Sequence, residues 1–465
     1  MKLIIILPPA PFLLDDRAFL MLGPLQIAAV ARDIAGWEVS VLDLTGHARR
    51  CPKARHDNCT ENILRYVDET VPGAVAGADL VGLYGTGWLM PGTYRALAAV
   101  KSLGKDAPPT VIGGPHANTM GEKLVDDFTY ICAADQGGGG GELSFLEVLR
   151  RVKTQSGGKG VVKVASRDGS EFPNDRWPYP ARDLIDMDSY HYSIDGRRAT
   201  HIVSSSGCPF ACSFCAHWDG YRKLVSRSIP HVEGEIRQII DRYGIRALMD
   251  YSDEVNLYGG GGQPFYDWMD MLQRAGIERW RGFFKAGRSE RIMSEPMIKK
   301  MAETGCHQVC VGAESGSPLV LSKIGKGATL EDNTNFVRWC VKHGIAPKCF
   351  IQVGLPGETT DTVEETRAWL VKMAGEGLRH VDVAITTPFE GTPIREHPGK
   401  FDLTWDEVEL SKAAHEGWGR GRPGEYVAFV ETAALGRPDL VKARVYLDAA
   451  FAFAAGVAGE VKDDG

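Results

Sequence analysis

The sequence predicts an α/β chain in which a doubly wound N-terminal domain precedes an open, partial βα barrel and a helical tail. Three features carry that prediction: two separate blocks of alternating β-rich and helical runs, glycine-rich turns after strands of the first block, and an alanine-rich end. The 465 residues suit two or three domains, and 44% hydrophobic with 24% charged residues is an ordinary globular balance.

In the first block, Leu3–Leu7 reads as a buried strand. Pro8-Pro9 and Asp15-Asp16 cut its apolar run too short for a secretory signal. Leu22–Ile34 has helical periodicity. Trp37–Asp43, Asp79–Tyr84, Thr110–Gly113 and Thr129–Cys132 read as strands, with helices over Tyr94–Ser102 and Leu143–Val152. Ligands of such sheets sit beyond the carboxyl ends of the strands. Gly85–Gly87, Gly113-Gly114 and Gly137–Gly141 fall there, and residues 1–170 are expected to form this domain.

Three prolines in Glu171–Tyr190 favour extended backbone, so 171–198 reads as a linking strap. The second block, 199–393, holds six strand candidates: Ala199–Ser204, Arg246–Tyr251, Trp280–Ala286, His307–Gly312, Ala346–Val353 and His380–Thr386. Helical runs separate them; Val232, Ile236, Ile239 and Ile240 share one helical face. Active groups of a βα barrel lie at the strand C-termini. Residues 394–465 read as helical, most clearly over Ala443–Ala458.

The net charge of −7 argues against a mainly phosphate-binding protein, so a nucleic-acid partner is not expected. No run of about 20 apolar residues occurs, so no membrane span is expected and a cytoplasmic location is predicted. Ten cysteines are too few for a disulfide scaffold at this length. Cys306, Cys310, Cys340 and Cys349 read as small apolar packing groups, and His47 as a solvated loop residue.

The first barrel strand runs into Cys208-Pro-Phe-Ala-Cys212-Ser-Phe-Cys215, a C-x3-C-x2-C spacing. Three thiolates on one loop can hold three irons of a cubane and leave the fourth open. Iron–sulfur clusters usually take four cysteines, so the missing ligand points to chemistry at the cluster. The competing reading is a structural zinc site completed by His217, although such sites normally use two separated ligand pairs.

Gly207–Cys215 (GCPFACSFC) resembles the radical S-adenosylmethionine signature. Ser252–Asn256 (SDEVN), Val311–Ser317 (VGAESGS), Gly354–Thr359 (GLPGET) and Pro388–Pro393 (PFEGTP) resemble the later motifs of that barrel, in order. The resemblance implies that Cys208, Cys212 and Cys215 bind a 4Fe-4S cluster. It places Phe214 and Gln352 near the adenine, and Asp253, Glu314 and Ser315 around the remainder of S-adenosylmethionine. Arg288 and Arg291 are candidates for holding a carboxylate.

The N-terminal segment lacks a G-x-G-x-x-G after its first strand, which argues against dinucleotide binding. It resembles instead the Rossmann-like cobalamin-binding domain of class B radical enzymes, through Leu22–Leu25 (LGPL), Gly113–Asn118 (GGPHAN), the glycine run ending at Gly141-Glu142, and Pro178–Asp183 (PYPARD). By that resemblance Leu25, Thr86, Trp88, Gly114, His116, Gly139 and Glu142 face cobalamin. No D-x-H-x-x-G motif supplies a lower cobalt ligand, and Trp88 is expected to block that position instead. The implied reaction is methylation of an unactivated carbon or phosphorus centre, with a non-methylating cyclisation or rearrangement as the alternative. A radical methylthiotransferase is a further reading, but Cys51, Cys59 and Cys132 are not placed for its second cluster. A non-catalytic cobalamin sensor would not need the cysteine triad. The expected partners are a small-molecule or peptide substrate and a flavodoxin- or ferredoxin-type electron donor.

Overall fold

A computed structural model describes residues 1–10, 15–46, 57–87, 89–134, 140–165, 172–216, 222–287, 289–416 and 426–456. The N-terminal sheet is built from β1 (Lys2–Leu7), α1 (Leu22–Ala29, continued by a π turn to Ile34), β2 (Glu38–Asp43), α2 (Asp57–Val75), β3 (Leu80–Tyr84), α3 (Met90–Lys101), β4 (Thr110–Gly113), α4 (Pro115–Met120), β5 (Tyr130–Ala133), α5 (Glu142–Thr154) and β6 (Gly160–Lys163). The strand order is β2-β1-β3-β4-β5-β6, all parallel. Helices cover both faces, which is why β1 is apolar at consecutive positions. Leu3, Ile5 and Leu7 enter one core, and Ile4 and Ile6 the other. The order reverses between β1 and β3, so a ligand crevice is expected beyond their carboxyl ends.

The second unit contains β7 (Ser193–Ile194), β8 (Arg197–Ile202), β9 (Ser205–Ser206), β10 (Val225–Ser226), α6 (Ile229–Tyr243), β11 (Ala247–Asp250), α7 (Gln263–Ala275), β12 (Arg279–Phe284), α8 (Glu295–Glu303), β13 (Cys306–Glu314), α9 (Pro318–Lys323), α10 (Leu330–Lys342), β14 (Ala346–Val353), α11 (Thr360–Gly375) and β15 (His380–Ile385). The sheet order is β15-β14-β13-β12-β11-β8-β7, open at both edges. Strands β8 to β15 of this sheet pair in parallel, as the six predicted units require, and β7 adds an antiparallel edge.

The linker is shorter than expected and is not a free strap. Ser193 onward already belongs to the barrel sheet. Upstream, the Ala181 amide donates to the Leu25 carbonyl at 3.0 Å, and Gln26 Nε2 donates to the Pro178 carbonyl at 2.8 Å. Tyr190 Oη donates to Asp43 at 2.9 Å, and the buried Arg182 pairs with Glu235 of α6 at 2.6 Å. The strap therefore fixes the two sheets against each other.

The helical C-terminal segment also carries a short hairpin. After α12 (Pro393–Glu396), β16 (Leu403–Trp405) and β17 (Val430–Thr432) pair antiparallel, flanking α13 (Glu407–Glu416), before α14 (Arg437–Ala455). Three-residue strands so far apart carry no readable alternation. Helix α14 packs on α11 and β15, puts Leu440 and Leu447 into the barrel core, and donates from Arg444 Nε to the Val383 carbonyl at 2.8 Å. It thus takes the place of the helix that would follow a sixth βα strand.

Glu358, in the loop before α11, joins hairpin and barrel. Its carboxylate accepts the Gly354 amide, and its carbonyl accepts Thr432 Oγ1 at 3.0 Å. It is 2% exposed, and burial pushes its carboxyl up to about 8. A carboxyl raised on folding stabilises the native state below its unfolded value, ~4.3, and loses that contribution as pH rises through the folded value. Glu358→Gln is expected to flatten the fall in stability between about pH 4 and 8, by an amount of the order of a few kcal/mol. Calorimetric melting of both proteins across that range checks it.

Candidate functional site

The cysteine loop is held by the end of β11. Asp250 accepts the hydroxyl of Ser204, the Ser252 amide at 2.9 Å and the Ser252 hydroxyl at 2.6 Å. Ser252 Oγ in turn accepts the Ser205 amide at 2.9 Å. Asp253 accepts the amide of Gly207, whose φ of +87° turns the chain into the loop. A left-handed turn of this kind favours glycine. Burial raises the Asp253 carboxyl to about 6. Further on, the Ser213 amide donates to the Ile324 carbonyl at 2.9 Å, and the Ile394 amide donates to the Ser213 carbonyl at 3.0 Å.

This frame gathers the three thiols. Burial, then the neighbouring Cys212 and Cys208, push Cys215 up to about 12. Burial lifts Cys208 to about 11. Burial also raises Cys212, with the cations of Lys326 and Lys285 opposing it. Among the described residues no three His, Cys, Asp or Glu side chains converge on a single metal ion. A cubane does not ask them to, since each thiolate takes a different iron. His217, the fourth ligand of the zinc reading, lies outside the described residues. Mutually coupled, largely buried thiols beside two lysines fit a cluster whose core carries negative charge.

Facing the loop are the ends of β12, β13 and β14. Glu314 closes β13 with φ +62°, a left-handed conformation that costs a non-glycine residue about 1–2 kcal/mol. Its carboxylate accepts Lys326 Nζ at 2.6 Å and Gln352 Nε2 at 2.8 Å. Lys285 follows β12, donates to the Lys326 carbonyl, and sits 4.3 Å from the Phe210 ring centre. Glu254 has a buried Oε2 with no hydrogen-bond partner. Burial raises this carboxyl to about 7.

Of the residues predicted for S-adenosylmethionine, Glu314 and Gln352 thus touch each other, while Asp253 fixes the cysteine loop. Phe214 packs beside Val320, Leu321, Ile324 and Leu355. Ser315 is fully buried, hydrogen-bonded to Thr366 Oγ1 at 3.0 Å, and turned into the β13–α9 turn. Arg288 lies outside the described residues, and Arg291 is on the surface, donating to the Gly260 carbonyl at 2.9 Å. Glu254, Lys285 and Lys326 were missed. Their one sequence signal is the acid pair Asp253-Glu254; the lysines are brought in by topology.

The N-terminal crevice opens toward this mouth. The barrel-end loop docks on it through Lys123–Glu390 at 3.2 Å, and a Cβ on Gly87 would lie 3.9 Å from Phe389. Thr86 Oγ1 after β3 and Glu142 Oε2 at the start of α5 are buried without hydrogen-bond partners. Unsatisfied polar atoms at a sheet's carboxyl edge fit a polar ligand there. Burial lowers His116 to about 4, so it is neutral. Gly114, at φ +100°, leaves no room for a Cβ, which would meet the Tyr84 ring at 2.6 Å and the Gly85 carbonyl at 2.7 Å. The Leu25 side chain is fully buried in the core. Trp88 and Gly139 lie outside the described residues.

Residues 202–370 match the Radical SAM superfamily. An uncharacterized methyltransferase of Pyrococcus horikoshii is 27% identical over 337 residues, 69% of each chain. The cytidylyl-2-hydroxyethylphosphonate methyltransferase of Streptomyces wedmorensis is 25% identical over 452 residues, 84% of this chain and 80% of that one. Among solved structures, the radical S-adenosylmethionine methyltransferase TsrM from Kitasatospora setae, with cobalamin and a 4Fe-4S cluster bound, superposes with a TM-score of 0.61 at 18% identity. That match covers 97% of this chain and 90% of TsrM. With the cysteine loop at the end of the first barrel strand, residues 202–370 form a radical S-adenosylmethionine domain, and the chain shares the fold of TsrM, an α/β domain docked on the barrel mouth.

Proposed function

We propose that the protein is a cobalamin-dependent radical S-adenosylmethionine methyltransferase acting on an unactivated carbon or phosphorus centre. The observation that carries this reading is the apposition of two carboxyl edges. The cysteine loop, the buried Lys285 and Lys326 and the half-buried Glu254 lie on one; the crevice with unpartnered Thr86 and Glu142 lies on the other. The relatives named as methyltransferases support the same reaction.

Cys208, Cys212 and Cys215 would hold the cluster. Asp253, Glu314, Gln352 and Phe214 would border S-adenosylmethionine, and Thr86, Gly114, His116 and Glu142 would border cobalamin. When bound, these groups supply a one-electron cleavage of the sulfonium, a hydrogen-abstracting adenosyl radical and a transferable methyl group. The chain's own residues orient and shield them. Asp253 holds the loop entry through Gly207, and the Glu314–Lys326 pair fixes a charge beside the cofactor. The strap with Arg182 and Tyr190 keeps the two edges in register. A flavodoxin- or ferredoxin-type donor would supply the electron in the cytoplasm. No helix among the described residues is long and apolar enough to cross a membrane.

The test is anaerobic incubation of the reconstituted enzyme with methyl-deuterated S-adenosylmethionine and cell extract. A trideuterated product is expected, with S-adenosylhomocysteine and 5′-deoxyadenosine formed together. Substrate-dependent deoxyadenosine without the homocysteine product would overturn methylation.

A further inference from the structure

The barrel lumen holds a cation that has no counter-charge among the described residues. On β12, Arg281, Phe283 and Lys285 point inward in successive layers, since side chains alternate along a strand. Arg281 lies low in the lumen, in register with Met249 of β11 and so with His201 of β8. It is only partly accessible, and its Nε is buried with no hydrogen-bond partner. Its one hydrogen bond is from Nη2 to Cys310 Sγ at 3.3 Å.

A guanidinium does not deprotonate, and sulfur is a weak acceptor. Burial, the largest influence on Cys310, raises its thiol, so it stays neutral. The remaining groups that act on Arg281 are the phenols of Tyr192 and Tyr251, with no carboxylate among them. Its guanidinium carbon is 6.0 Å from the Tyr192 ring centre, at the outer limit of a cation–π contact and a weak substitute for a counter-ion. Leaving a charge buried and unpaired is strongly unfavourable. Lys348 of β14, by contrast, is matched: it pairs with Asp382 of β15 at 2.9 Å. A second donor lies close by. His201 Nδ1 accepts the Leu20 amide at 3.4 Å, which leaves the proton on Nε2, and Nε2 is buried without a partner.

Above this floor the walls are aromatic. Phe283 lies 5.9 Å from Tyr251 and 6.3 Å from Phe350, centre to centre. Tyr251 is 37% exposed and the Asp382 side chain 47%, so the lumen is open to solvent. From the Arg281 layer to the Lys285 layer, beside the cysteine loop, is four residues of strand, about 13 Å.

We infer that the substrate is an elongated organic oxyanion, a carboxylate or phosphonate on an aromatic or apolar body, seated with its anionic end on Arg281 and His201 at the floor of the barrel. The body lies against the wall formed by Tyr251, Phe283 and Phe350, and the far end reaches the cofactor mouth. The inference rests on the proposed function, because only a reaction at that mouth makes the lumen its substrate channel.

The test is equilibrium dialysis of the reconstituted, anaerobic protein with 4-phenylbutyrate, 4-phenylbutylphosphonate and the uncharged 4-phenylbutan-1-ol. At least one acid is expected to bind tenfold or more tighter than the alcohol, and which acid does so identifies the oxyanion. Arg281→Gln is expected to erase the preference and Arg281→Lys to keep part of it, with iron content and melting temperature reporting that each variant is folded. Equal binding of acids and alcohol by the wild type overturns the inference, as does an acid preference that survives in Arg281→Gln. Dialysis does not measure methyl transfer, so a failure here is distinct from a failure of the methyltransferase reading.

Discussion

Replacing Cys208, Cys212 and Cys215 together with alanine is expected to abolish both iron content and 5′-deoxyadenosine formation while the protein stays folded. The two outcomes separate because the loop's shape does not depend on its thiols. Gly207 is held by Asp253, and Ser213 is tied through its amide to Ile324 and through its carbonyl to Ile394. Truncating three small side chains, of which Cys212 is 9% exposed, removes modest packing, about 1 kcal/mol each at most. Of the other cysteines whose side chains are described, Cys132 on β5, Cys306 and Cys310 on β13, Cys349 on β14 and Cys340 on α10 are all buried. Iron determination, melting of the metal-free proteins and chromatography of the nucleoside product check the three parts. Full iron loading of the triple variant would refute the ligand assignment.

How much of this was legible follows from where the information lies. Strands buried on both faces announce themselves as apolar runs, and Ala346–Val353 and Thr110–Gly113 were read with the bounds the structure has. Strand β6 was missed because Gly160–Lys163 is short, begins on a glycine, ends on a lysine and contributes one fully buried side chain, Val162. Helix α2 was missed because Pro72 and Gly73 interrupt it, and proline ordinarily ends a helix. The cysteine loop is compact in sequence, so its chemistry could be read directly. The pocket facing it is not compact: Glu254, Lys285 and Lys326 come from three different loops, and only the parallel order of β11, β12 and β13 brings them together. Arg281 was invisible for another reason. An arginine between Trp280 and Gly282 looks like the polar face of an edge strand, until β11 and β13 are seen to flank it.

The second large effect concerns the pair behind that pocket. Lys326 and Glu314 meet at 2.6 Å with side chains 8% and 6% exposed. Gly312 makes room for them; a Cβ there would lie 2.2 Å from Glu314 Oε1 and 2.5 Å from Lys326 Nζ. Burial disfavours the ammonium, yet the Glu314 charge overcomes it and holds the Lys326 pKa above its ordinary value. Glu314→Ala strips that compensation and leaves a buried cation, at a cost of about 3–5 kcal/mol. Removing both charges is far milder, because an apolar pair of similar volume is often neutral or stabilising. Glu314→Ala is therefore expected to lower the urea midpoint sharply, and Glu314→Gln with Lys326→Met to restore most of it. Deoxyadenosine formation should not return with stability in the double variant if the carboxylate borders S-adenosylmethionine. A pair that serves only the fold would show both recovering together, so comparing the urea midpoint with the nucleoside yield separates a positioning role at the cofactor from a structural one.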